Sequence, residues 1–556
     1  MKKIYSLLLI GSFATSVLVT TSCIDEVEPT DGATQEKIDK SIAAKEALVW
    51  AVPAYENQLE VATDEHFDYG LGSIMHIRDV MTEDMAIVSS NYDHYTRWQR
   101  NQYMGKDYVY AGFPWIFYNK WVQTANKLIA GIPEEGATDL ELGYIGIGYA
   151  FRALIYLDMA RMYEYLPCKA TKAQSAEGKD VTGLSVPIVT EKTTEEEAKN
   201  NPRANHDQMF DFILSDLNKA EELIVNSNIR NHVIPDIYVV YGLKARLYLW
   251  AASYMDEIGA TSGTDVYVSE TLAAETAQTL YAKAEEYAHK ATEGPYTPTT
   301  KEQWLNTATG FNSPTDAWML GSQQVKENDV VQSGIINWTS WACNETSYGY
   351  AAAGPMSMVG KSFYERIFDT DFRKLSWVAP EAKKKLRRQN TFVDPSFEEL
   401  DEYVSLKFRP GMANFTDYQV GSATAYPMMR VEEMYFIEAE AAAHQDPLRG
   451  KDLVEDFMRK YRYDSYACIP TDEDGVVEEI IFQKRVELWG EGQTFFDVKR
   501  LNYSVTRNYE DTNFYPNAAI NTDGRPAWMN FVIVRTEEAN NAGVKGWNNP
   551  DPSDRE

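Results

Sequence analysis

The chain has 556 residues, 44% of them hydrophobic, enough to bury a large core. Its 53 Lys and Arg face 83 Asp and Glu, for a net charge of −30. That balance excludes nucleic-acid binding, which needs a basic face to neutralise phosphates, and it disfavours electrostatic adsorption to anionic membranes.

Lys2 and Lys3 precede a mostly apolar run from Ile4 to Val19, and Thr20-Thr21-Ser22 lead into Cys23. A charged start, a short apolar stretch and small residues before a cut describe a secretory signal over 1–22. The run is shorter than the ~20 apolar residues a membrane span needs. A cysteine just past the small residues resembles a bacterial lipobox. Cleavage would leave Cys23 at the new N-terminus, acylated. Residues 23–42 are polar, with Pro29 and Gly32, and read as a tether from that lipid. No other segment reads as transmembrane.

From 43 to 300 the pattern is helical. Long helices are expected over 144–165 and 237–254, each followed by a shorter helix rich in Ala and aromatics, over 209–223 and from Tyr281 to Ala291. Small residues let paired helices approach, and aromatics fill the groove between pairs. The pattern is that of degenerate tetratricopeptide-like pairs, broken by inserts at 169–205 and 256–275. Trp115, Tyr118 and Trp121, at i, i+3, i+6, are expected in the core. From 301 to 556 the chain turns rich in Pro, Gly, Asn and Thr, and a loop-rich part with short elements is expected. A frayed end is expected over 540–556.

Two stretches carry the residue types of a sugar site. Between Val331 and Gly360 the only charged residue is Glu345, while Trp338, Trp341, Tyr348 and Tyr350 alternate with neutral Asn, Ser and Thr. The C–H face of a pyranose stacks on a flat ring, and neutral amides and hydroxyls meet its hydroxyls without the desolvation penalty of full charges. The second stretch holds Asn91, Tyr92, Tyr95 and Trp98, shortly after Arg78 and Asp79. For both, the competing reading is core packing by the aromatics. The seven His are scattered, with no His-Glu-x-x-His and no Gly-x-Ser-x-Gly, so no catalytic residue, metal site or cofactor is assigned. Cys168, Cys343 and Cys468 leave two readings, one bridge with a spare thiol or three buried free thiols.

The densest signal is 485–500, Arg-Val-Glu-Leu-Trp-Gly-Glu-Gly-Gln-Thr-Phe-Phe-Asp-Val-Lys-Arg, where charges and large apolar groups alternate too tightly for a solvated helix face. Here Glu487, Leu488, Glu491, Gly492, Asp497 and Arg500 match the C-terminal signature of the SusD/RagB family, which this block closely resembles. Gln483 and Thr494 are neutral where the family carries an acid and an arginine. A second block, from Arg430 through Glu433 to Glu440 and Ala441, is similar to the family's Arg-x-x-Glu helix. Asp371-Phe372-Arg373 and Lys407-Phe408 look like its shorter markers. In this reading Arg430, Glu433, Glu440, Glu487, Glu491, Gly492, Asp497 and Arg500 are structural.

The resemblance implies a mainly α, SusD-like fold and a non-catalytic role. A lipoprotein on the outer leaflet of the outer membrane would bind an oligosaccharide or polysaccharide and deliver it to a SusC-like TonB-dependent transporter. The acidic Asp25, Glu26 and Glu28 after Cys23 resemble the surface-export signal of such lipoproteins. By location within the family, the loop after the first helices contributes to the glycan site. That makes Tyr92, Tyr95 and Trp98 candidates with Arg78, Asp79 and Asn91, beside Trp338, Trp341 and Tyr348. Some relatives handle peptides, so a peptide-binding module and a lid without its own ligand are the alternatives.

Overall fold

The computed structural model describes residues 41–88, 95–262 and 266–553. The signal segment, Cys23, nearly all of the tether, Asn91 and Tyr92 lie outside them.

The architecture is mainly helical. Helix α1 (Ile42–Ala54) starts at Ser41, whose hydroxyl accepts the Ala44 N–H. Helix α2 (Leu71–Val80) is buried along its whole length. Helices α3 (Val109–Gly131) and α4 (Asp139–Tyr163) pack on each other, and α5 (His206–Leu223), α6 (Ile237–Glu257) and α7 (Ala277–Thr292) extend the stack pair by pair. Helix α4 opens with a capping box, in which Thr138 and Glu141 satisfy each other's backbone N–H. It is long and apolar enough to cross a membrane, but its surface is covered by α3 and α5, as befits a core helix. Glycine is required where α4 meets the end of α5, since a Cβ on Gly146 would lie 2.6 Å from the Ile224 nitrogen. Trp115, Tyr118 and Trp121 are buried in α3.

Beyond residue 300 the described elements shorten, as the composition predicts. Strand β1 (Met85–Ile87) pairs antiparallel with β3 (Ser357–Val359), and β2 (Trp318–Gln323) with β4 (Ala425–Arg430). The β1–β3 pair ties the first part of the chain to the second. Helices α8 (Val431–Ala443), α9 (Pro447–Tyr461), α10 (Glu473–Glu487) and α11 (Thr494–Arg500) follow, and then a short helix at Arg535–Asn540. Helix α7 packs on α6 on one side and on α8 on the other, so the stack runs on from the first part of the chain into the second.

Two expectations need correction. The end of the chain is packed rather than frayed up to Ser553. Val544 is fully buried, and Asn549 donates to the carbonyls of Tyr163 and Phe531 at 2.9 and 2.7 Å. Asparagine side chains here take over the backbone pairing that a helix or strand would supply. The alternative of one disulfide also falls, because Cys168, Cys343 and Cys468 are all free thiols.

Candidate functional site

The signature residues meet in one buried ionic lattice. Glu487, at the end of α10, accepts from Arg373 at 3.0 Å, Arg430 at 3.1 Å and Arg462 at 2.6 Å. Arg430 also reaches Glu432 at 2.8 Å and Glu491 at 2.9 Å. Lys407 donates to Glu491 at 2.7 Å and to the carbonyls of Glu487 and Trp489. The Trp304 ring lies against Lys407, Arg430 and Arg462 at 5.2–5.6 Å. Burial alone would raise the Glu487 carboxyl, but Arg462 and Arg430 outweigh it and hold it well below the usual range. Burial pulls the Lys407 ammonium down to about 8 against the opposing pull of Glu491.

Two satellites extend the lattice. Glu433 on α8 pairs with Arg246 on α6 at 2.5 Å. Arg500 joins Glu440 at 2.5 Å and Asp497 at 2.7 Å. Gln483 keeps the lattice closed although it is neutral, since its amide oxygen accepts from Arg373 at 2.5 Å. Gly492 sits at φ +68°, where a Cβ would lie 2.8 Å from Met75 Cα.

The candidate ligand residues within the described segments are largely internal. Asp79 accepts the Gly492 N–H at 2.9 Å, and burial raises its carboxyl well above the usual range. Arg78 pairs with Asp158 at 3.0 Å and lies over the Phe496 ring. Trp98 is fully buried between Phe67 and Tyr110, and Trp338 packs on Tyr426 and Phe408. Tyr95 is buried with its hydroxyl 2.6 Å from Ser73 Oγ, and its ring meets Trp341 edge-on at 4.6 Å. Trp341 in turn stacks on Tyr350 at 4.2 Å. Tyr348 is half-buried and donates to the Asn414 carbonyl. The two aromatic stretches therefore do meet, through Tyr95 and Trp341, but inside the fold, and Trp98, Trp338, Trp341 and Tyr95 offer no ring face to solvent.

The physical reason is plain for 337–346, the buried part of the 331–360 stretch, which carries a single charge. Its neutral side chains bond to neighbours: Asn344 donates to the carbonyls of Ser357 and Ser405, and Thr339 pairs with Thr424 at 2.8 Å. Its one acid, Glu345, is closed off by Arg409.

The aromatic cluster reaches the surface on its other side. The Trp98 ring meets Tyr110 edge-on at 4.9 Å, Tyr110 stacks at 25° on Tyr103, and Tyr103 touches Tyr108 at 5.1 Å. Tyr103 and Tyr108 are 44% and 45% exposed. The Arg97 guanidinium lies over the Tyr103 ring at 5.1 Å and donates to Gln102 at 2.9 Å. Asn101 and Tyr103 adopt left-handed backbone, φ +55° and +61°, uncommon for residues other than glycine. Asn101 is anchored to the Pro552 carbonyl, and the Met104 N–H donates to Ser553 Oγ at 2.7 Å. The result is a rigid aromatic rim flanked by hydrogen-bonding groups.

Two sequence families match the chain. The SusD family covers 376–542, and the family described as "Starch-binding associating with outer membrane" covers 26–249. The chain belongs to the SusD/RagB family. No curated protein matches in sequence. Among solved structures, a SusD-like carbohydrate-binding protein from Bacteroides vulgatus superposes with TM-score 0.68 at 20% identity, covering 91% of this chain and 98% of the other. A SusD superfamily protein from Bacteroides thetaiotaomicron gives 0.65 at 16% identity, covering 91% and 99%. A laminarin-binding SusD-like protein gives 0.55 at 14% identity, covering 82% and 91%. Identities this low establish the fold.

The SusD-family match spans the lattice from Arg430 to Arg500, whereas the rim falls within the second match. The second description points to association with the outer membrane. Tyr103 and Tyr108 are the residues that sequence reasoning passed over. Their signal was faint: two tyrosines in a short polar loop, Asn101 to Tyr108, just after the aromatic run that drew attention.

Proposed function

We propose that this SusD/RagB protein binds a glycan at the rim formed by Tyr103, Tyr108 and Tyr110 and delivers it to a SusC-like TonB-dependent transporter. It does so without covalent chemistry, held on the outer leaflet of the outer membrane through acylated Cys23. The observation that carries the reading is the pair of exposed rings, Tyr103 and Tyr108, in contact with each other and held against Tyr110 and Arg97. Fixed rings give a sugar apolar contact at little entropic loss. Arg97 and Gln102 stand beside Tyr103 to meet hydroxyls. The family description of starch binding and the laminarin-binding relative support the ligand class.

The test is affinity electrophoresis and calorimetry on soluble starch, laminarin and their short glucose oligomers, comparing wild type with Tyr103→Ala and Tyr108→Ala. Selective loss of glycan binding in folded variants supports the rim; unchanged binding removes it. Cys23→Ala should move the protein from the membrane to the soluble fraction, because acyl chains supply about 0.8 kcal/mol per buried CH₂.

A further inference from the structure

A cavity of about 750 Å³ lies away from the rim residues. Its wall comes from five places: the turn 179–184, the approach to α5 and its first turn from Pro202 to Gln208, the end of α6 with the segment to Ser262, the pair Val266 and Tyr267, and the C-terminal stretch at Gly543 and Trp547. Its size is that of a small-molecule or oligosaccharide site.

Its chemistry is specific. Trp547 and Tyr267 line it at 37% and 50% exposure. Both are tied to neighbours. The Trp547 carbonyl accepts from buried Arg203 at 2.7 Å, and Lys179 sits over the indole at 4.4 Å. The Tyr267 hydroxyl donates to Asp211 at 2.8 Å, and its carbonyl accepts from Asn205 at 2.8 Å. Tyr254 closes the floor, stacked on His206 at 3.7 Å. The lining also holds Thr182, Gln208 and Ser262, neutral hydrogen-bonding groups of the kind that meet sugar hydroxyls, while Asn205 and Thr261 beside them bond to Tyr267 and Asp207. Lys179 and Asp180 carry opposite charges, and the third charged residue of the lining, Arg203, is buried with its guanidinium spent on the carbonyls of Ser185, Leu184, Tyr163 and Trp547 and on Asn549.

The cavity is tied to the rim by one short piece of chain. Pro552 holds Asn101, two residues from Tyr103, and Trp547 is five residues upstream of Pro552. Five peptide steps span at most about 19 Å. We infer that the Trp547–Tyr267 cavity is a second glycan subsite, so that one neutral polysaccharide engages it and the rim together. Two weak contacts on one polymer raise its affinity above that of a fragment reaching only one.

The inference rests on glycan binding at the rim, and the experiment separates the two. Wild type, Trp547→Ala, Tyr267→Ala and Tyr103→Ala, each checked by circular dichroism and melting, are titrated with soluble starch, laminarin and short glucose oligomers. Trp547→Ala and Tyr267→Ala are expected to weaken binding of the polymer roughly fivefold or more while leaving the short oligomers unchanged. Tyr103→Ala is expected to weaken both. Polymer affinity equal to wild type in both cavity variants overturns the second subsite alone. Loss of all binding in Trp547→Ala with none in Tyr103→Ala keeps the cavity and overturns the rim. Retention of neither polymer by wild type overturns both.

Discussion

Around Glu487, three arginines crowd one carboxylate in a space closed to water. Around Tyr103, an aromatic stack breaks the surface and its polar neighbours stay accessible. The first region joins β4, α8, α10 and the loops bearing Arg373 and Lys407, and every group in it has a strict partner. The second asks only for a flat ring held at the right height. Ion-pair networks tolerate few substitutions because a stranded charge is costly, whereas many aromatic arrangements can present a face to a sugar. The recognisable motif of this chain therefore lies in its scaffold, and the rim proposed to meet ligand is written in a looser code.

Substitutions can sharpen that contrast. Glu487→Ala should have the largest effect, at least about 3–5 kcal/mol of stability, since it leaves three guanidiniums without their shared acceptor. Urea denaturation of the variant measures it, and glycan affinity of the folded fraction should match wild type. Gly492→Ala comes next. Left-handed backbone costs a Cβ-bearing residue about 1–2 kcal/mol, and the approach to Met75 adds to it. A melt indistinguishable from wild type would show that α2 simply moves aside.

Acid should separate the regions without any mutation. Glu440 is held down to about 2 by Arg500 and His444, which overcome its burial, and Glu487 lies well below its usual range. Such groups contribute their full stability above the ordinary carboxylate value of about 4.3 and lose it as pH falls toward the folded-state value. Melting temperature should drop as pH is lowered from about 4.5 toward 2, and Glu440→Gln should flatten that decline.

Tyr103→Ala should cost roughly 1–2 kcal/mol of glycan binding with stability within about 0.5 kcal/mol of wild type. The smallest expected effect is that of salt: affinity at the rim should change less than about twofold between low and high ionic strength. A collapse with salt would point to a charged ligand, as a peptide would be, read by Arg97.

How much of this was legible in sequence follows the same divide. The block 485–500, Arg430, Glu433, Glu440, and the short markers Asp371-x-Arg373 and Lys407-Phe408 all fall in or beside the lattice, because alternating charge and bulk is a pattern only a buried network explains. The helices of the stack were visible through Ala and aromatic spacing. The aromatic residues of 95–98 and 331–350 stood out by composition, and the fold brings them together at Tyr95 and Trp341, but composition cannot tell a neutral loop that faces sugar from one whose amides cap its own backbone. Asn344 and Thr339 decide that question only through their partners. Tyr103 was hidden because its exposure depends on left-handed turns and on contacts with Pro552 and Ser553, far along the chain.

The passage of the helical stack from α7 to α8 also bears on how the molecule assembles. Between Thr292 and Val431 the chain leaves the stack, builds β2, β3 and β4, and only then returns to lay α8 on α7. Closing so long an excursion carries an entropic penalty that contacts repay only after the ends have met. During synthesis α1 to α7 emerge first, and the apolar side of α7 that receives α8 has no cover until the rest arrives. That interval is a period of exposure to aggregation. A fragment ending near residue 300 should consequently be sticky, where one ending after α10 should not.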